Sequence, residues 1–199
     1  VLARRPEIMV RGVDDALGID TLLEKADVIA IGPGLGRGDW ARALFDRAIR
    51  AGKPLVIDAD GLHQLAEHLG TGTIIPYLSM IVTPHTAEAA ALLRSSVADI
   101  AGDRFAAAAS LAARINGVAV LKGAGTVVAG REQIGVCLHG NPGMATAGMG
   151  DVLTGVVAGL LAQGLSMVDA AAAGVCLHSF AADRVADRED ERVLGCGDE

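Results

Sequence analysis

Aromatic residues are scarce in this chain of 199 residues, which holds one Trp, one Tyr and three Phe. Alanine, valine, leucine and glycine dominate instead, so the core is expected to be close-packed and aliphatic. Cysteine is equally sparse. Cys137, Cys176 and Cys196 are odd in number, widely spaced and contain no CxxC. That argues against a disulfide framework or a zinc site and for a reducing, cytoplasmic compartment. No basic stripe offsets the net charge of −7, and Arg4 and Arg5 are too few to neutralise phosphates, so nucleic acid is not an expected partner. A small anion stays possible, because local backbone dipoles outweigh global charge. No basic-then-apolar leader opens the sequence. The longest apolar stretch, Val156 to Ala162, is far too short to cross a bilayer. The chain starts on Val1 rather than Met, as a fragment or processed chain would.

The length suits one domain with a substantial core, and neither a repeat nor a long linker divides it. Short apolar runs read as strands at Asp27–Ile31, Leu55–Ile57, Met80–Thr83 and Val118–Leu121. "TVVAG" and "EQIGVCL" suggest a hairpin. Helical spacing is expected over Asp39–Ala51, Ala87–Leu93, Asp103–Asn116, Gly150–Ala162 and Ser166–Ala186, with "NG" closing the third of these. Strands that are continuous apolar runs, alternating with helices, predict a mostly parallel sheet covered on both faces. The charged tail "DREDERVLGCGDE", about 187–199, is expected to fray or lie exposed.

Unusual residues recur where such folds bind ligands, beyond the carboxyl ends of strands: "GPGLG", "DADG", "TPH" and "KGAGT" each follow one. Gly32, Gly34 and Gly36 permit close approach of a ligand, although the pattern is also an ordinary strand-to-helix turn, and it is neither a dinucleotide fingerprint nor a Walker loop. Asp58 and Asp60 suit a metal or the holding of a loop, while capping of a helix beginning near Gly61 is the favoured reading of Asp60. His85 suits hydrogen bonding to a polar ligand or a plain solvent-facing loop in equal measure. His63 and His68 share no helical face, and His139 and His178 have no readable partner. Lys122 suits a phosphate as well as an ordinary strand end.

The segment "NPGMATAGMGDVLTG" is the most informative. Gly148 and Gly150 expose N–H groups beside a helix start that attracts anions. Asp151 sits among them, where a carboxylate can take a proton from a hydroxyl while nearby donors hold a phosphoryl group in line. The rival reading, a favourable acid in a first helical turn, does not require so many glycines.

Taken in order, "GPGLG", "VIDADGL", "TPH.AEAA.LL", "VLKGAGTVVA" and "GNPGMATAGMGDVLTGVVAGLLAQG" closely resemble the ADP-dependent NAD(P)H-hydrate dehydratases of the ribokinase-like superfamily, over roughly Glu7 to Asp183. The resemblance implies a three-layer α/β/α ribokinase-like sheet, mostly parallel and lacking the family's N-terminal strands. It implies a repair lyase that phosphorylates the C6 hydroxyl of hydrated NADH or NADPH with ADP, or ATP, and then eliminates phosphate. By motif, Gly34 and His85 should contact the hydrated dinucleotide. Lys122, Gly123, Ala124, Gly125 and Thr126 should form the nucleotide-binding turn with Gly150 beside it, and Asp151 should meet the substrate hydroxyl as base. Asn141 belongs to the same segment. Magnesium is expected with the nucleotide phosphates, and a homo-oligomer is expected because exposed sheet edges favour self-association. Thr86-Ala87 stands where the family usually has Pro-Gly, which leaves the loop after His85 open. The family's "LLASDL"-like ending is absent from the tail. Two other readings remain: a ribokinase-like kinase for a vitamin precursor, and an inactive nucleotide-binding remnant.

Overall fold

The computed structural model describes residues 8–71 and 79–188. Six strands form its sheet: β1 (Ile29–Ile31), β2 (Leu55–Ile57), β3 (Met80–Val82), β4 (Val118–Leu121), β5 (Thr126–Ala129) and β6 (Ile134–Cys137). They lie side by side in chain order, β1 to β4 parallel, β5 and β6 joined as an antiparallel hairpin. The registers pair Leu55 with Met80 and Ile81 with Val118 across the centre.

Every residue of β2, β3 and β4 is buried, because both faces of the sheet are covered. Successive side chains point to opposite faces, and two cores result. Leu55, Ile57, Met80, Val82, Ala119 and Leu121 enter one; Val56, Ile81, Val118 and Val120 enter the other. The first core is roofed by α2 (Asp39–Arg50), α3 (Ala59–Gly70), α4 (Thr86–Leu93), α5 (Val97–Gly102) and α6 (Arg104–Ile115), and the second by α7 (Met149–Ala162) and α8 (Met167–Ala186). The expected three-layer arrangement is therefore present. A small helix, α1 (Asp20–Lys25), precedes β1, following a 3-10 turn at Ala16–Ile19.

Local chemistry sets the helix limits. In α2 the buried residues are Ala41, Leu44, Phe45, Ala48 and Ile49, the i, i+3, i+4, i+7, i+8 spacing of one helical face. Asp39 in its first turn and Arg47 and Arg50 in its last complement the helix dipole. Asn116 closes α6 in a left-handed conformation, as "NG" suggested. Helices α1 and α5 were not anticipated; α5 starts with a capping box in which Ser96 and Asp99 exchange hydrogen bonds. The expected tail lies outside the described residues from 189 onward, as does Cys196.

Candidate active site

Since β1 to β4 are parallel, the loops after them share one edge of the sheet, and backbone hydrogen bonds lace that edge together. Asp58 N–H donates to the Ile31 carbonyl, Thr83 N–H to that of Ile57 and Lys122 N–H to that of Pro84, at 3.1, 3.1 and 2.8 Å. Gly32, at φ +135°, lies so close to the next loop that a Cβ there would fall 1.7 Å from the Asp58 carbonyl oxygen; no other residue fits. The remainder of the "GPGLG" loop is held by Asp60, whose carboxylate accepts from Gly36 N–H at 2.9 Å and Arg37 Nε at 3.2 Å. Asp60 is thus a loop holder and not the helix cap favoured from the sequence. The cap position of α3 belongs to Asp58, which makes no side-chain capping bond.

Asp58 spends its carboxylate elsewhere. Only 1% of its side chain is exposed, and Oδ1 accepts from Lys122 Nζ at 2.7 Å. Its second oxygen accepts from Thr154 Oγ1 of α7 at 2.9 Å. Lys122 keeps 21% exposure. The turn that follows it is gripped from behind by Arg104, at the start of α6: Nη2 donates to the carbonyls of Leu121 and Gly125 at 3.0 and 3.2 Å.

Beside this turn opens a cavity of about 890 Å³. One wall is His85, Thr86 and residues 122–126; the other combines residues from 138–146 with Val175, His178 and Ser179 of α8, and the start of α7 forms its floor. Asp183 secures the second wall. It accepts from Gly140 N–H at 2.9 Å and Asn141 Nδ2 at 3.1 Å, while Asn141 Oδ1 accepts from Gly143 N–H. The hydrogen bond from Gly140, foremost, holds the Asp183 carboxyl below the usual carboxylate range. Burial pushes the His178 imidazole below the usual histidine value.

His85, Lys122, Gly123, Ala124, Gly125, Thr126, Gly150 and Asn141 therefore all line one cavity. His85 also caps α4: its Nδ1 accepts from the N–H groups of Ala87 and Glu88 at 3.1 and 3.3 Å, and Glu88 returns a bond to His85 N–H at 2.8 Å. This capping box settles the loop that Thr86-Ala87 left open. An accepting Nδ1 places the proton of the neutral ring on Nε2. Asp151 stands at the third position of α7, one residue past Gly150, exposed and with no side-chain hydrogen-bond or ion-pair partner among the described residues. Neither Asp151 nor Gly34 lines the cavity itself. Gly34, at φ +66°, sits in the "GPGLG" loop with open space where a side chain would be. His63 and His68 pair with Glu67 and Asp46 away from this cavity. Arg104 and Asp183 were not singled out by sequence.

The family described as NAD(P)H-hydrate dehydratase matches residues 1–196. The bifunctional NAD(P)H-hydrate repair enzyme Nnr of Coxiella burnetii is 46% identical over 191 residues, covering 96% of this chain and 38% of that protein. The chain thus spans well under half the length of that relative. Among solved structures, the hypothetical protein SMU.573 of Streptococcus mutans superposes with a TM-score of 0.86 at 30% identity, covering 97% of this chain and 71% of the other. An ADP/ATP-dependent NAD(P)H-hydrate dehydratase of Bacillus subtilis, co-crystallised with ATP/Mg2+, gives a TM-score of 0.74 at 29% identity over 84% of this chain and 58% of the other.

Proposed function

The chain belongs to the NAD(P)H-hydrate dehydratase family, and from that premise we propose that it restores hydrated NADH or NADPH at the expense of an adenine nucleotide, ADP or ATP. One observation carries the reading: loops from residues far apart in sequence meet at one sheet edge, where an ammonium, a turn rich in N–H donors and a helix start border a single cavity. Such an edge suits a phosphoryl donor.

In the proposed reaction the C6 hydroxyl of the hydrated ring attacks the terminal phosphoryl group. Asp151 accepts the hydroxyl proton, since no other group among the described residues claims its carboxylate. Lys122 and the N–H groups of residues 123–126 and of the first turn of α7 balance charge on the transferred phosphoryl group. Hydroxide is a poor leaving group and phosphate a good one. The ring nitrogen's lone pair expels phosphate, and loss of the C5 proton restores the double bond. Gly34 and the imidazole of His85, whose Nε2 also lies 3.4 Å from Glu88 Oε1, orient the hydrated dinucleotide. Among the described residues no group of three His, Cys, Asp or Glu side chains gathers to hold a metal ion. Magnesium, which neutralises phosphate charge, would then be held chiefly by the nucleotide's own oxygens.

The test supplies hydrated NADH with ADP or ATP and follows the absorbance of the reduced nicotinamide. Its recovery is the expected outcome, and Asp151→Asn is expected to lower the rate by about 100-fold or more while nucleotide affinity changes little. A stable phosphoester on another alcohol, with no recovery, would identify a kinase instead. Nucleotide binding without any turnover would identify a binding remnant.

A further inference from the structure

We propose that Asp58 is a positioning residue for phosphoryl transfer: its buried carboxylate fixes the Lys122 ammonium and the first turn of α7 in one relation, without touching substrate. The proposal rests on the nucleotide reading of residues 122–126.

Asp58 occupies a helix N-cap position, where a carboxylate ordinarily accepts from the first N–H groups of its own helix. It makes no such bond. The side chain turns instead along the sheet edge, past the end of β3, to partners 64 and 96 residues away. A carboxylate with 1% exposure is costly to bury unless each oxygen is satisfied. Here Oδ1 faces the ammonium and Oδ2 the Thr154 hydroxyl. Thr154 Oγ1 also lies 3.0 Å from the Gly150 carbonyl. It has one proton, and the charged oxygen is the stronger acceptor.

The start of α7 rests on this pair. A Cβ at Gly150 would come within 3.2 Å of Lys122 Nζ and 3.3 Å of Asp58 Oδ2, so the helix backbone approaches because residue 150 has no side chain. Asp151 follows immediately. The ammonium has three donors; one is committed to Asp58, and Lys122 also borders the cavity, leaving the others for a phosphate. A shift of Asp58 would thus disturb the phosphate contact and the proton acceptor together.

The experiment compares the whole chain with Asp58→Asn and Thr154→Val. ADP affinity is read by calorimetry. Freedom of the Lys122 amine is read by its rate of acylation, measured by peptide mass spectrometry, and turnover is followed with hydrated NADH. For Asp58→Asn, we expect ADP Kd to rise about tenfold, from loss of a charged hydrogen bond, and Lys122 acylation to quicken clearly. Turnover should fall about 100-fold, the scale of a small misplacement of reacting groups. Thr154→Val keeps the ion pair, so Kd and acylation should stay near wild type while turnover alone falls. If Asp58→Asn leaves both Kd and acylation unchanged, the proposal is wrong. Unchanged turnover in Thr154→Val, where wild type is active, overturns it equally, and this variant decides the matter should Asp58→Asn not fold. If wild type binds ADP but restores no hydrate, the functional reading fails, while Kd and acylation still judge Asp58.

Discussion

Arg104 offers the sharpest test of how the proposed nucleotide turn is built. Its guanidinium reaches the Leu121 and Gly125 carbonyls at 3.0 and 3.2 Å, with two weaker approaches to the Lys122 carbonyl at 3.5 Å. Residue 123 is glycine because its backbone sits at φ +144°; a Cβ there would also fall 2.8 Å from Nη1 and push the guanidinium aside. Hydrogen bonds from a charged donor contribute about 1.5–3 kcal/mol each. Arg104→Met removes two good ones, but water replaces part of each because the side chain is only half-buried. A loss of about 2–3 kcal/mol in unfolding free energy follows, measurable by urea titration. The freed turn must also be reordered when nucleotide binds. If about 1.4 kcal/mol of that loss falls on binding, ADP Kd rises about tenfold. Arg104→Lys should recover only part of either effect, because an ammonium lacks the planar fork that spans two carbonyls. Reduced stability with unchanged Kd would refute the claim that Arg104 shapes the proposed nucleotide turn. No change in either would refute the contacts themselves.

Two further predictions concern stability. Gly174 of α8 faces Val157 of α7 so closely that a Cβ would meet Val157 Cγ2 at 2.6 Å; Gly174→Ala should cost about 1–3 kcal/mol, and adding Val157→Ala should restore part of it, as denaturant titration of the double-mutant cycle would show. Acid sensitivity should appear in two separate windows. Burial lowers the His178 pKa below 6.5, so its neutral form stabilises the fold fully above that value, and stability declines as pH drops below it and the unfolded chain takes protons first. Asp183, lowered below 3.8 chiefly by Gly140 N–H, contributes above 3.8 and is lost as pH falls through its folded value. Urea titration across pH should show His178→Leu flattening the upper window and Asp183→Asn removing the lower.

What the sequence revealed depends on how far apart the interacting residues are. Runs such as "LVI", "MIV" and "VAVL" were legible as buried strands, because a sheet covered on both faces needs apolar residues without alternation, and the loops that end them inherit a common edge from parallel pairing. That placed "TPH" and "KGAGT" at one end of the sheet, while singling out His85 and residues 122–126 took the family resemblance as well. Short helices were harder. The capping box of α5 was present in "SSVAD", yet six residues carry too little periodicity to be noticed. In "DADG" both acids suited a metal or a loop and capping was favoured for Asp60, since local sequence displays neither Lys122 nor Gly36, their partners across the fold. Arg104 left a subtler sign. A cation in the first turn of a helix opposes the helix dipole, so its place there calls for a compensating partner, and the carbonyls of the neighbouring turn supply it. Sequence therefore marked several of the residues that line the cavity, His85 and residues 122–126 among them, because glycine and strand ends single them out. The groups that hold those in place answer to tertiary contacts between distant segments, and only folding brings them together.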